Sequence, residues 1–174
     1  DVGGLLCIRQ AKSGGISSLV SSASLYNELL ATHPEHLSCL YRPMFYPHLG
    51  GDRPGLSPVF SYHKGQLTCR YLRQYLELGH DMMGTPLSPI ELEAFDRIDA
   101  ILHDASMRID MMMKPGDLQL VNNYAVMHSR TSFEDFREIE RRRKKLRLWL
   151  RCENARELGY DFPGREGFPA PKTT

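Results

Sequence analysis

In residues 143–151, RKKLRLWLR, leucine recurs at every second position from 146 to 150. Successive residues of a strand point to opposite faces, so Leu146, Leu148 and Leu150 share one face. Arg143, Lys145, Arg147, Trp149 and Arg151 share the other. A chain containing this segment has to place it in a sheet, and the cationic face then has three uses. It can be a solvated edge, where lysine and arginine blunt strand pairing. It can bind nucleic acid, although the RRRKK run at 141–145 lacks interleaved aromatics. Or it can turn inward, where unpaired charge costs several kcal/mol and an anionic ligand has to compensate it. A dicarboxylate suits the third case, because a guanidinium holds a carboxylate through two parallel bonds.

The rest of the chain supplies partners for such a strand. GGLLCIRQ (3–10) is a short apolar run between glycines, and ISSLVSS (16–22) is a second extended piece. In SLYNELLATHPEHLSCL the period becomes helical, with Leu25, Leu29 and Leu30 on one face and Pro34 as an interruption. Residues 41–58 are rich in proline and glycine and read as an irregular loop, a common setting for a lid. SPVFSYHKGQLTCRYL reads as a hairpin about Lys64-Gly65. SPIELEAFDRIDAILHDAS carries the clearest helix, with Ser88 as N-cap, Pro89 in the first turn and Glu91 completing a capping box. Phe95, Ile98, Ile101 and Leu102 form its apolar stripe. Strands return on either side of Pro115-Gly116, with Met111, Met112 and Met113 as strand and core filler. The tail from Gly159, through Pro163, Gly164, Gly167 and Pro169, reads as loop. The expected architecture is mainly β, a sandwich or barrel in one domain over 1–174, with a helical insert at about 70–105.

Composition narrows the class. With 41% hydrophobic and 25% charged residues and a net charge of +1, the 174-residue chain is ordinary globular material. No global field draws it to nucleic acid or anionic lipid. No apolar run approaches a membrane span, and Cys7, Cys39, Cys69 and Cys152 show no metal-finger spacing. Free thiols, a cytoplasmic location and a small-molecule partner are the expectations, without a membrane or nucleic acid; the oligomeric state is not legible.

His128 closes the alternating run before the polar stretch SRTSFED. A lone histidine there is either a hydrogen-bonded structural residue or a metal ligand. Arg130 could pair with Glu134 or Asp135 or contact a ligand, and Asn123 could make a local turn bond or support the site.

Taken in order, a strand ending in GG and a hydroxyl residue, the helical insert, PGDLQLVNN…HSRTSFED and RKKLRLWL resemble the taurine dioxygenase (TauD/TfdA-like) family over nearly the whole chain. The resemblance implies a double-stranded β-helix, or jelly roll, and a non-haem Fe(II)/2-oxoglutarate-dependent dioxygenase. Such an enzyme uses O2 to oxidise an unactivated C–H bond of a small molecule and releases succinate and CO2. By the same resemblance His128 is the distal iron ligand of a two-histidine, one-carboxylate triad. Arg147 grips the far carboxylate of 2-oxoglutarate with Ser17, and Arg143 lies near its keto-acid end. Arg130 and Asn123 are weaker candidates for supporting or substrate contacts. The family's His-x-Asp ligands fall just before the strand that opens this sequence, and Asp1 aligns after the carboxylate ligand. The expectation is therefore an N-terminally incomplete fold, inactive by itself. The alternative is a non-catalytic jelly-roll remnant acting as a binding or interaction module.

Overall fold

The computed structural model describes residues 1–47 and 53–162; the tail read at Pro163, Gly164, Gly167 and Pro169 lies outside them, as do residues 48–52 of the 41–58 loop. In chain order the elements are β1 (Val2–Arg9), β2 (Ser13–Gly14), β3 (Ser17–Ser21), α1 (Ser22–Thr32), a 3-10 turn (Pro34–His36) and α2 (Leu37–Leu40). Next come β4 (Met44–Tyr46), β5 (Gly55–Ser57), β6 (Phe60–His63), β7 (Gln66–Cys69), α3 (Arg73–Met82) and α4 (Pro89–His103). The chain continues with β8 (Ile109–Met111), β9 (Leu118–Asn122), β10 (Val126–Arg130), β11 (Phe133–Glu134), a second 3-10 turn (Ile139–Arg141) and β12 (Lys144–Leu150).

Two three-stranded antiparallel sheets organise the fold, one in the order β12-β1-β9 and one in the order β10-β3-β8. They make a jelly roll of the double-stranded β-helix type that does not close into a barrel. The first strand is central in its sheet, and β12, the last strand among the described residues, pairs with it. Asp1 Oδ2 accepts a hydrogen bond from the Cys152 N–H at 2.8 Å. That carboxylate is thus engaged in holding the segment after β12 against the start of β1.

The main core lies between the helices and the hairpins. Leu25, Leu29, Leu40, Phe60, Leu76, Phe95 and Ile98 are all fully buried there. Leu30, expected on the same stripe as Leu25 and Leu29, is 51% exposed. One 100° step carries it past the edge of the buried stripe. Part of the stretch read as an irregular loop is extended, since β4 (Met44–Tyr46) pairs with β5 (Gly55–Ser57). Of the three methionines, Met113 alone is core; Met112 is exposed and Met111 half-buried on β8, which is an edge strand.

The local signals explain the remaining elements. Glu91 accepts from both the N–H and the hydroxyl of Ser88, each at 2.7 Å, which anchors the start of α4. Lys64 and Gly65 both have positive φ, 48° and 77°, as a tight two-residue hairpin turn between β6 and β7 demands. Gly79 on α3 permits close approach to β4, because a Cβ there would lie 2.3 Å from the Phe45 carbonyl oxygen. Gly79→Ala is therefore expected to destabilise the protein by about 1–3 kcal/mol through overpacking, read as a lower midpoint in urea. A change below about 0.5 kcal/mol would show that α3 moves away freely.

Candidate functional site

Opposed residues in an antiparallel pair share a face, so strand register fixes which side chains can meet. His128 lies opposite Leu19 and Arg130 opposite Ser17. Ser17, Leu19, His128 and Arg130 thus occupy one face of their sheet. Val20 and Met127 occupy the other, where Val20 is buried and Met127 packs on the helical core. In the second sheet Leu5 lies between Arg147 and Gln119, and Gly3 between Trp149 and Val121. Arg147, Trp149 and Gln119 therefore share a face. The leucines of β9 and β12 take the opposite face, and Leu118, Leu120, Leu146, Leu148 and Leu150 are 43–56% exposed there.

The cationic face of β12 is the one turned toward His128. Although His128 is exposed as a residue, its pKa falls below the ordinary histidine value, first through desolvation and second through the charge of Arg147. Its Nε2 lies 3.2 Å from Asn123 Oδ1. If Nε2 carries the proton, that contact orients the ring and leaves the Nδ1 lone pair for a ligand. The local turn bond open to Asn123 is instead made by its neighbour, where Asn122 Oδ1 accepts from the Tyr124 N–H at 3.0 Å.

Two further cations converge on one aromatic ring. The Arg130 guanidinium carbon is 4.3 Å and that of Arg143 5.2 Å from the centroid of Phe133. Desolvation first, and the nearby Arg130 charge second, lower the Arg143 pKa. Arg130 does not form the salt bridge weighed for it, because Glu134 pairs with Lys12 at 2.5 Å and Asp135 accepts the backbone N–H of Arg143 at 2.7 Å. Gly14 holds this corner tight: its φ is +69°, and a Cβ would sit 2.3 Å from the Ser132 carbonyl oxygen. Arg147 has a softer contact, lying over the Trp149 ring at 5.6 Å. Among the described residues none of Arg130, Arg143 and Arg147 forms a salt bridge.

A cavity of about 460 Å³ wraps the edge strand β10 and reaches α3 and α4. His128, Arg130 and Ser18 line one side and Tyr71, Arg73 and Asp99 the other. The far wall is rigid. Arg73 donates to Glu77, Asp96 and Asp99 at 2.6–2.9 Å, which raises its pKa, and the Tyr71 hydroxyl donates to Asp99 at 2.8 Å. The sequence reading missed this wall, because no local pattern ties residues 71–73, at the start of α3, to a strand more than fifty positions later. It also missed Gln119, a buried residue whose amide oxygen has no partner. The inward positions of LQLVN would have exposed it.

The lowered pKa gives a signed prediction. Between the folded pKa of His128 and its unfolded value near 6.5, the unfolded chain binds more protons, so stability rises with pH across that window and is lost on acidification. An NMR titration should place the imidazole midpoint below about 6.5, and Arg147→Ala should raise it part of the way back, since desolvation is the larger cause. A midpoint unmoved by Arg147→Ala would separate the two residues.

The chain is 35% identical to FR-33289 synthase of Streptomyces rubellomurinus over 166 residues, covering 91% of this chain and 49% of that protein. It is 28% identical to a uridine-5'-phosphate dioxygenase of Streptomyces sp over 140 residues, covering 75% and 49%. The chain spans about half the length of these curated relatives. Among solved structures, asparagine oxygenase in complex with Fe(II), 2S,3S-3-hydroxyasparagine and succinate superposes with a TM-score of 0.64 at 21% identity, over 84% of this chain and 44% of that one. The non-heme iron oxygenase OrfP in complex with Fe and alpha-ketoglutaric acid gives 0.56 at 17%, over 84% and 43%. The sequence profile of taurine catabolism dioxygenase TauD, TfdA family matches residues 1–149, and the chain belongs to this family of dioxygenases.

Proposed function

We propose that this chain is the cosubstrate-binding part of an Fe(II)- and 2-oxoglutarate-dependent oxygenase acting on a small molecule. The observation that carries the reading is that Arg130, Arg143 and Arg147 form no salt bridge among the described residues, the first two over one phenyl ring and the third acting on a histidine whose pKa is lowered. Two guanidiniums against one phenyl ring repel each other, and a dicarboxylate would offset both that repulsion and their desolvation.

The donor chemistry fits the implied groups in part. His128 would hold iron through a neutral imidazole, and among the described residues no cluster of metal donors includes it. Bound iron with 2-oxoglutarate and O2 supplies the oxidising power, with succinate and CO2 as co-products. The chain's own residues bind and orient. Arg147 acts electrostatically on His128, so we assign it to the metal end of the cosubstrate. Arg143 lies with Arg130 at the other end, and Ser17 is in register with Arg130. Arg143 and Ser17 then take the far carboxylate, which exchanges the two arginine roles implied by the resemblance. Asn123 orients His128, and Arg130 and the β10 cavity receive substrate, whose size that cavity limits.

Anaerobic titration of the intact protein with Fe(II) and 2-oxoglutarate tests this reading. The weak visible metal-to-ligand charge-transfer band should develop, succinate should form on admitting O2, and both should vanish in His128→Ala. Absence of band and succinate in the unsubstituted protein would favour a jelly-roll binding module instead.

A further inference from the structure

A second group of metal donors lies on other elements than His128. Pro34 cannot continue α1, and the chain tightens into the 3-10 turn Pro34–His36. In that geometry residues three apart eclipse, so His33 and His36 fall on the same side. Their ring centroids are 6.0 Å apart. Glu35 reaches between them, with its Oε1 3.7 Å from His33 Nδ1 and 3.6 Å from His36 Nε2. One donor atom from each residue lies within 4.8 Å of the other two, and no other such group of three occurs among the described residues.

His36 adds an independent observation. It is only 4% exposed, and its Nδ1 is shut away from water without a hydrogen-bond partner. Its Nε2 faces Glu35 at a separation longer than a hydrogen bond. A buried imidazole nitrogen without a partner is uncommon, because buried polar groups are nearly always satisfied.

We propose that His33 Nδ1, Glu35 Oε1 and His36 Nε2 form a site for a borderline divalent cation of the zinc type. Two imidazoles and a carboxylate suit such an ion, and three protein donors leave a fourth position for water. Bond lengths near 2.0–2.1 Å in a tetrahedron need donors roughly 3.3 Å apart. Two of the separations exceed this by a few tenths of an ångström. His33 and Glu35, with side chains 32% and 59% exposed, are free to close on the fixed His36. The bound ion would tie the end of α1 to α2, and binding to the folded state alone would raise thermal stability.

Zn²⁺ titration followed by calorimetry and thermal melting, with Co²⁺ as a spectroscopic probe, tests the site. The expected result is one equivalent bound independently of His128, a concentration-dependent rise in Tm, and a Co²⁺ spectrum without thiolate charge-transfer absorption. His33→Asn and Glu35→Gln, both at exposed side chains, should each weaken binding at least about tenfold and abolish the rise in Tm. His128→Asn should leave both intact. No binding at 100-fold excess over protein, binding that survives both His33→Asn and Glu35→Gln, or binding lost in His128→Asn would overturn the assignment.

Discussion

Arg143→Leu is expected to raise the 2-oxoglutarate KM of the intact protein by about 30-fold or more, with a much smaller effect on the affinity for Fe(II). Truncating one member of a desolvated, hydrogen-bonded charge pair costs about 2–5 kcal/mol, because the partner charge stays buried and uncompensated. The Arg143 guanidinium is partly desolvated and crowded by Arg130 over the Phe133 ring, so an anion between them gains from both. Arg143→Lys should recover part of the loss, since the charge returns without the planar fork. Arg147→Leu should instead disturb His128, seen as a shifted imidazole titration together with weakened metal binding. If Arg143→Leu changed the KM less than threefold, the carboxylate would lie elsewhere. If Arg147→Leu carried the whole KM effect, the two arginine roles would be those of the original resemblance.

Phe95→Ala should cost about 3–5 kcal/mol, a large share of the roughly 5–15 kcal/mol that holds an ordinary domain folded. Phe95 is fully buried, packs edge-on against Tyr71 at 5.7 Å between centroids, and carries the carbonyl that accepts from the Tyr71 hydroxyl at 3.3 Å. The cavity left by the substitution would open beneath the wall formed by Tyr71, Arg73 and Asp99. Chemical denaturation should therefore show both lower stability and, in the folded fraction, a disturbed Tyr71 environment. A loss under about 1 kcal/mol would mean that α4 collapses onto the vacated space. The wall would then have to be more plastic than its ion-pair network implies.

Several features were legible from residues alone. The alternation of KKLRLWL gave a strand with an apolar and a cationic face, and Ser88, Pro89 and Glu91 marked the start of α4. No helix of the described residues is long and apolar enough to cross a membrane, in line with the hydropathy of the sequence. The four cysteines are free, as their spacing suggested, and burial pushes the Cys69 thiol up to about 12.

What a strand's sequence determines is which side chains share a face, because the period of two is a property of the backbone. It does not determine which face turns inward, because that depends on what stands opposite. Only the tertiary structure put the cationic face of β12 toward His128 and left five leucines of β9 and β12 outward. It also brought Arg130, thirteen positions before Arg143, onto the same phenyl ring, and it closed the β10 cavity with a wall from α3 and α4. Periodicity acts over neighbouring residues, whereas the meeting of two sheets is set by packing between segments far apart in sequence.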